Sequence, residues 1–243
     1  MNRALDRSAR ITVALACAVA LMGQSSPRGG MDPDNPTCPA SPDWGPATRM
    51  TLTPRDVDGG RVLVAEGVID ETLPDRLRAA LEADESIGEV WLKSMGGDAT
   101  AGNQAGRVIR SIPGMLTRIP RGWACFSACN FVFMGGDRRQ VDPGGYFMVH
   151  MFTHTNDRTV ISESVMDGTQ ATTELIVGSE QSSALLATED NDFLIRMGIS
   201  RRLLTDVMYR QQAVRTADNP STRYCLTRDE LVQYNVTPQE RRG

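Results

Sequence analysis

Ser127 and its neighbours could supply a nucleophile for acyl transfer. The serine follows a predicted strand ending at Trp123–Ala124, and the apolar stretch ACNFVFMGG after it predicts a short buried helix. A serine at a helix start is most often a cap, which would give Ser127 a structural role only. The amide of Ala128 and the positive helix end would nevertheless lie beside its hydroxyl, where they can stabilise an anion. Ser127 is therefore a candidate nucleophile, with capping as the alternative.

A glycine pair lies in KSMGGDATAG, residues 93–102, between a buried-looking strand and a predicted helix. Gly96 and Gly97 allow the backbone to turn sharply and to present amides that no Cβ shields. Such amides can hold the negative charge that develops on a reacting carbonyl oxygen. The alternative is a plain strand-to-helix turn. Because no Gly-Lys-Ser/Thr follows the pair, the sequence does not predict a phosphate-binding loop.

The chain has 2 histidines, and one of them closes a predicted strand. His150 ends the stretch YFMVH, whereas His154 lies in the polar stretch THTNDR and is expected to face solvent. In open α/β sheets, ligands bind outside the carboxyl ends of the strands. If the strands are parallel, the glycine pair, Ser127 and His150 meet at one edge. This convergence favours a functional role for His150 over that of an ordinary strand-end histidine.

Short strands and helices alternate along the part of the chain that carries these residues. RVLVAEGVI, EVWLKS, MLTRI and YFMVHMF predict strands, and TAGNQAGRVIRSI predicts a helix rich in small residues. Another helix is predicted with Thr72 as its N-cap and with one apolar face, formed by Leu73, Leu77, Ala80 and Leu81. This alternation predicts an α/β domain built from parallel crossover units.

The remainder of the chain is predicted to be mainly helical. From Val160 to about Gln212 the pattern is helical and more polar than before. The stretch LTRDELVQY then opens with Thr227 and has Glu230 three residues later, a capping box that predicts a final short helix.

The N-terminal residues are typical of a secretory signal peptide. Arg3, Arg7 and Arg10 precede the uninterrupted apolar segment ITVALACAVALMG, and small and polar residues follow it. We interpret residues 1–25 as the signal peptide. The apolar core is shorter than the ~20 residues that span a bilayer, and an uncleaved membrane anchor is the alternative. We therefore expect a periplasmic or secreted protein, in a compartment without ATP.

Composition indicates one folded domain behind a surface arm. Residues 26–49 are rich in Pro, Gly, Ser and Asp and predict a linker or arm that Cys38 could tether. The domain is expected over residues 50–243 of the 243-residue chain, which is long enough for a sizeable core. The formal net charge of −4 gives no reason to expect a nucleic acid partner.

Export makes disulfides the natural state of the cysteines. Once the leader is removed, Cys38, Cys125, Cys129 and Cys225 remain, and they allow three pairings among which the sequence does not choose. At positions i and i+4, Cys125 and Cys129 would share one helix face, and their separation could just permit a disulfide. With no third ligand nearby, a metal site is not predicted, and no cofactor is expected.

The ordered combination of these motifs resembles the proteolytic subunit of Clp protease, within the wider Clp/crotonase fold. The matching stretches are SMGGDATAG at Ser94–Gly102, CFSAC at Cys125–Cys129, MGGDRR at Met134–Arg139 and FMVH at Phe147–His150. The resemblance covers roughly Val62 to Val236. It implies a superhelix of β-β-α units with the helices outside. It also implies a helical segment after the histidine strand, Ser162–Met197, that is available for ring or dimer contacts in a homo-oligomer.

The resemblance also implies a role for each matching residue. Ser127 would be the nucleophile, and His150 would be the general base that takes its proton. The amides of Gly97 and Ala128 would form the oxyanion hole, assisted by the neighbouring Gly96. The reaction implied is hydrolysis of peptides or unfolded chains through an acyl-serine.

The third triad position departs from the Clp pattern. Aligning YCLTRDELVQYNV on the family places Arg223 where an aspartate is expected. Asp218 is the candidate acid if the loop TADNPST folds back, and Asn219 could orient the histidine without charge. Asp190 and Asp192 are more remote candidates. Without its acid, a triad can lose several orders of magnitude in rate because the histidine tautomer is no longer fixed.

Three functions remain open from the sequence. The first is an exported serine hydrolase that acts on peptides or unfolded chains without an ATPase partner. The second is a catalytically impaired Clp-fold module that oligomerises and binds partners. The third is a crotonase-like enzyme acting on thioesters, which would need a coenzyme A pocket of which the sequence shows no sign.

Overall fold

The computed structural model describes residues 30–33, 35–150, 158–214 and 223–238. The predicted signal peptide, His154, Asp218 and Asn219 lie outside these ranges. The strands are β1 (Met31–Asp32), β2 (Asn35–Pro39), β3 (Thr51–Val57), β4 (Gly60–Glu66), β5 (Ile87–Lys93), β6 (Leu116–Ile119), β7 (Ala124–Phe126), β8 (Arg138–Val141), β9 (Tyr146–His150) and β10 (Arg223–Cys225). The helices are α1 (Leu73–Ala83), α2 (Ala99–Arg110), α3 (Cys129–Met134), α4 (Arg158–Met166), α5 (Thr169–Met197), α6 (Arg202–Val214) and α7 (Arg228–Gln233). The expected α/β class is confirmed.

The larger sheet has the strand order β3-β4-β5-β6-β8. Its strands from β4 to β8 are parallel, and β3 joins β4 as an antiparallel hairpin. The centre of β4, Val62 to Ala65, is buried on both faces, as expected for a parallel strand covered on both sides. The crossovers through α1 and α2 bring the carboxyl ends of β4 and β5 to the same edge.

A smaller sheet, in the order β10-β9-β7, carries the residues that the sequence singles out. β7 and β9 are parallel, so that Phe126 and His150 lie at the same end of the sheet, and β10 pairs antiparallel with β9. An isolated bridge between Ser94 and Cys125 joins this sheet to the end of β5. The predicted meeting of strand ends therefore occurs between two sheets, not along one.

Small residues let α2 and α3 approach backbone to backbone. A Cβ added to Gly102 would lie 2.6 Å from the Ala128 carbonyl oxygen, and one added to Gly106 would lie 2.3 Å from the Phe131 carbonyl oxygen. Contacts this short exclude any larger residue at these two positions of α2. The small-residue helix seen in the sequence is thus what places the start of α3 over the sheet.

Two predicted helix starts have different outcomes. Thr72 occupies the N-cap position of α1 but makes no capping hydrogen bond, because its amide and hydroxyl donate to Asp70 Oδ1 at 3.0 and 2.6 Å. The predicted capping box at α7 is confirmed, with reciprocal bonds between Thr227 and Glu230.

The helical region after β9 consists of α4, α5 and α6, and α5 contacts the core through its C-terminal end. Phe193, Leu194 and Met197 of α5 are buried, and the Phe193 ring packs against Phe131 at 5.3 Å. Earlier in α5, Leu185 is 62% exposed. No helix within the described ranges combines the length and hydrophobicity needed to cross a membrane.

The cysteines form two disulfides, Cys38–Cys225 and Cys125–Cys129. The first fixes the proline-rich arm to β10 across 187 residues of sequence, so the arm is held on the domain through Cys38. The expectation that Cys125 and Cys129 share a helix face is wrong. Cys125 lies on β7 and Cys129 begins α3, because the backbone turns sharply at the residues between them.

Candidate active site

Ser127 occupies a sharp turn between β7 and α3. Its φ of 56° lies in the left-handed region that residues other than glycine rarely adopt. Backbone strain of this kind costs about 1–3 kcal/mol and is concentrated at functional sites. Ala128, not Ser127, is the N-cap residue of α3, so the capping alternative does not account for the serine. The turn leaves the half-buried Ser127 hydroxyl at the wall of a cavity.

His150 lies within hydrogen-bonding distance of that hydroxyl. Its Nε2 is 2.7 Å from Ser127 Oγ, although the two residues are 23 positions apart in the sequence. The parallel pairing of β7 with β9 produces this proximity, since both residues are at or just beyond the carboxyl ends of those strands. The Phe126 ring lies 4.7 Å from the imidazole and restricts its orientation. The structure thus brings together the predicted serine and histidine.

Asn130 fixes the position of α3 relative to the histidine strand. Its Nδ2 donates to the Met148 carbonyl oxygen at 2.6 Å, and the side chain is 5% exposed. This bond joins the helix that follows Ser127 to the strand that ends at His150. The sequence analysis missed Asn130, although an amide within the apolar run CNFVFM was a signal that a buried polar contact existed.

The glycine turn, residues 94–98, is held against Ser127 by a buried hydroxyl. Ser94 Oγ donates to the Gly67 carbonyl oxygen at 2.6 Å and accepts from the Gly96 amide at 3.0 Å. The Ser94 backbone also pairs with β7, donating to Ala124 and accepting from Phe126, each at 3.0 Å. A Cβ on Gly96 would lie 2.8 Å from Ser127 Cβ, so only glycine permits this approach.

The backbone amides of Gly97, in the glycine turn, and of Ala128, next to Ser127, have no acceptor among the described residues. The Ile69 amide donates to the Gly96 carbonyl oxygen, and the Asp98 amide donates to the Ile69 carbonyl oxygen. The Gly97 N–H takes no part in this pairing. The expectation that the Gly96 amide assists needs correction, because its N–H is committed to Ser94. Gly96 instead provides the space for close approach. Gly97 and Ala128 are the open donors.

The position aligned with the triad acid is occupied by a cation. Arg223 lies directly opposite His150 in the β9–β10 pairing. Its guanidinium donates to Asp32 of the arm, with an Nη2–Oδ2 distance of 2.7 Å, and lies over the Trp44 ring. Arg223 is therefore engaged with the arm. The principal acid candidate, Asp218, and its substitute, Asn219, lie beyond the described ranges.

The two remote acid candidates have different surroundings. Asp192 is ion-paired with Arg107 at 3.0 Å and with Arg196 at 2.8 Å, and these contacts hold its pKa below the ordinary range. Asp190 instead lines the same cavity as Ser127 and His150. Burial raises the pKa of Asp190 to about 7, against the opposing influence of Asn103.

A cavity of about 210 Å³ opens beside the Ser127–His150 pair. α3, β9, α5 and α6 form its walls, which are mainly apolar. Pockets that enclose drug-sized ligands have volumes of about 300–1,000 Å³, so this cavity suits one side chain better than a large cofactor. It is therefore a poor match for coenzyme A. Within the described ranges, no group of three or more His, Cys, Asp or Glu side chains is placed to hold a metal ion.

Comparison with known proteins gives matches among solved structures alone. No protein-family profile matches the chain, and a search of curated proteins finds no match. The chain is similar to a ClpP1 point mutant from Listeria monocytogenes, with 16% identity, a TM-score of 0.49, and 72% of this chain and 86% of that chain covered.

Two further structures show the range of the similarity. A point mutant of the 1510-N membrane-bound stomatin-specific protease is 13% identical, with a TM-score of 0.42 over 70% of this chain and 73% of that one. An enoyl-CoA hydratase from Shewanella pealeana is 12% identical, with a TM-score of 0.42 over 79% and 67%. At these values the similarities say nothing about activity, so the chemistry rests on the geometry of the site.

Proposed function

We propose that this protein is an exported serine hydrolase of the Clp type that cleaves peptides or unfolded chains through an acyl-serine. The observation that carries the proposal is the 2.7 Å contact between Ser127 Oγ and His150 Nε2, beside the open amides of Gly97 and Ala128. The nucleophile, the base and Ala128 line one cavity, and the turn that carries Gly97 packs against Ser127 through Gly96.

Each group has a defined step in the reaction. His150 Nε2 accepts the proton of the Ser127 hydroxyl as Oγ attacks the carbonyl carbon. The amides of Gly97 and Ala128 stabilise the negative charge on the carbonyl oxygen in the tetrahedral intermediate. The imidazolium then donates its proton to the leaving amine, and an acyl-serine forms. A water molecule, deprotonated by His150, hydrolyses the acyl-serine and regenerates Ser127.

The histidine requires a partner that fixes its tautomer, because Nε2 must be the nitrogen without a proton. We propose that Asp218 fills this role, with Asn219 as the substitute. The Phe126 ring, 4.7 Å from the imidazole, supports the same orientation.

The proposed compartment restricts the substrates. The signal-peptide pattern at residues 1–25 and the two disulfides support a periplasmic or secreted location. Because this compartment lacks ATP, no unfoldase would deliver folded proteins to the site. Short peptides and already unfolded chains are the substrates consistent with it.

Self-association is part of the proposal. Several apolar side chains of α4 and α5 are exposed, including Met166 at 78% and Leu185 at 62%. Burying such a surface between copies of the chain would be favourable. We therefore expect a homo-oligomer, and light scattering on a sizing column would measure its mass.

A serine-reactive fluorophosphonate probe tests the proposal. We expect the folded protein to be labelled, and labelling to be abolished in Ser127→Ala and strongly reduced in His150→Ala. Ser183→Ala is the matched control, because Ser183 presents a hydroxyl to the same cavity without a histidine partner in the described residues. Labelling that survives Ser127→Ala would overturn the assignment of the nucleophile.

One observation favours a second function. Arg223, at the position of the missing acid, is held by Asp32 of the arm directly opposite His150. A catalytically impaired module that oligomerises and binds partners would retain the fold with this substitution. Well-folded protein that the probe does not label would support this second function over the first.

A further inference from the structure

Asp190 is a carboxyl-bearing residue in the cavity lining that the proposed hydrolase mechanism does not use. Asp190 lies on α5 and lines the cavity together with Ser127 and His150. Its Oδ1 is buried and has no hydrogen-bond partner in the part of the chain that the structure describes. Among the described residues, no arginine or lysine lines the cavity and no ion pair includes Asp190. A carboxyl group without a cation among the described residues therefore lines the same cavity as the candidate nucleophile.

The surrounding residues do not offset the burial of this charge. Asn103 on α2 is a polar neighbour that lowers the pKa of the carboxyl, yet its Nδ2 makes no hydrogen bond to an acceptor of the described residues. Glu189, the preceding residue, is also acidic and opposes ionisation. Burial of a carboxyl group without a partner is costly, and the cost falls when a cation binds next to it.

The rest of the cavity suits a long side chain with a charged end. Its walls include the apolar side chains of Phe131, Met134, Phe147, Val149 and Leu203. Lysine and arginine pack their methylene groups along apolar surface while their charged ends remain with polar partners. A mainly apolar cavity with one carboxyl group in its lining therefore matches these two residues better than it matches leucine or phenylalanine.

We propose that this cavity binds a basic side chain, arginine or lysine, on the acyl side of the scissile bond, with Asp190 as its counter-ion. This inference rests on the proposed hydrolase function, because it is Ser127 at the cavity wall that places the acyl residue there. Asp190 is thus a specificity-determining residue, and the protein prefers cleavage after basic residues.

Binding of benzamidine tests the pocket without requiring catalysis. Benzamidine carries a cationic amidinium group, whereas benzamide has nearly the same shape and is neutral. By titration calorimetry at pH 8, where a carboxyl with a pKa of about 7 is mostly ionised, we expect benzamidine to bind at least tenfold more tightly than benzamide. Asp190→Asn should abolish this difference. Asp192→Asn is the matched control and should retain it, since Asp192 is already paired with two arginines.

Peptide substrates that differ in one residue test the specificity. We expect kcat/KM to be at least tenfold higher for arginine than for citrulline, its neutral analogue, before the scissile bond. Asp190→Asn should lower the ratio of kcat/KM for the arginine peptide to kcat/KM for a leucine peptide at least tenfold. Circular dichroism would show that the variant is folded.

The two proposals fail in distinguishable ways. Benzamidine that binds no better than benzamide, or equally well to Asp190→Asn, would overturn the cation pocket even if the probe labels Ser127. Loss of the hydrolase function would appear as an unlabelled Ser127. Selective binding of benzamidine that depends on Asp190 would then still establish the cation pocket.

Discussion

The two walls of the site leave opposite kinds of polar group open. The glycine turn and the start of α3 present donors without acceptors, the amides of Gly97 and Ala128. The helical wall, formed by α5 and α3, presents acceptors without donors, Oδ1 of Asp190 and Oδ1 of Asn130. A buried polar atom without a partner costs about 1–3 kcal/mol, so the buried Oδ1 atoms of Asp190 and Asn130 do not benefit the fold. A substrate with a carbonyl oxygen and a cationic side chain would satisfy the amides and Asp190.

The walls also differ in rigidity. Ser94 fixes the glycine turn through hydrogen bonds to Gly67 and Gly96, and glycines occupy positions where no Cβ fits. The helical wall contacts the core mainly near the end of α5 and leaves much of that helix exposed. The turn and the buried helix α3 are therefore held in a fixed geometry, and α5 is the less tightly packed part of the helical wall.

Gly97→Ala should have the largest effect on stability, because the added methyl group does not fit in the glycine turn. The added Cβ would lie 2.1 Å from the Ile69 carbonyl oxygen, at a φ of 143°. We expect a loss of at least about 3 kcal/mol in the free energy of unfolding, measured by urea denaturation.

Gly122→Ala is the control for this prediction. Gly122 also has a positive φ, 83°, but nothing lies within 4 Å of the added Cβ. Gly122→Ala should lower the free energy of unfolding by about 1–2 kcal/mol, because alanine is strained in a left-handed backbone conformation. Equal losses in the two variants would contradict the close packing of the turn on Ile69.

Ser94→Ala should have the next largest effect. It leaves the buried Gly67 carbonyl and the Gly96 amide without their shared partner, at a cost of about 1–3 kcal/mol in stability. Because the turn loosens beside Ser127, labelling by the fluorophosphonate probe should slow as well. Ser111→Ala, which removes a hydroxyl bond to Val108 at the end of α2, should leave the labelling rate unchanged.

Asp190→Asn should change how stability depends on pH. Since burial raises the folded-state pKa from 3.8 to about 7, the wild type is relatively stabilised below pH 4 and loses that stability as the pH rises through 7. Relative to the wild type, Asp190→Asn should therefore gain on the order of 2 kcal/mol by pH 8. Thermal unfolding from pH 4 to 8 measures the difference. A difference that does not change with pH would mean that the carboxyl is not buried as described.

Asp192→Asn should have the smallest effect, with the opposite sign. Its ion pairs with Arg196 and Arg107 lower the folded-state pKa, so the stability it contributes is present at neutral pH and is lost as the pH falls through that value. The variant should be slightly less stable than the wild type at pH 7, and the difference in stability between the two should disappear in acid. Exposed pairs contribute little, and added salt should reduce the difference.

Much of the site was predictable because it is encoded in local pattern. The glycine pair after a strand, the serine before an apolar helix and the histidine at a strand end are each readable over a few residues. Their convergence required the strands to be parallel, which short alternating elements indicate. The sharp turn at Ser127 was not predictable, and for this reason the sequence placed Cys125 on a helix that begins only at Cys129.

Residues that act across the fold were missed or left open. The hydrogen bond of Asn130 is made to a carbonyl oxygen of β9, which is distant in sequence. Asp190 could be linked to Ser127 only through a cavity whose walls come from four separate elements. The disulfide pairing likewise depends on distance in space, with Cys38 and Cys225 separated by 187 residues in sequence.

The sequence by itself determined the alternation of elements, the helix capping box at Thr227 and the identity of the serine, histidine and glycines that could do chemistry. Propensity, periodicity and capping act over a few residues, and a single chain reveals them. Only the tertiary structure decided which amides are open, which carboxyl lacks a cation and which cysteines pair. Those properties depend on distance and burial, and both are set by packing among segments far apart in the chain.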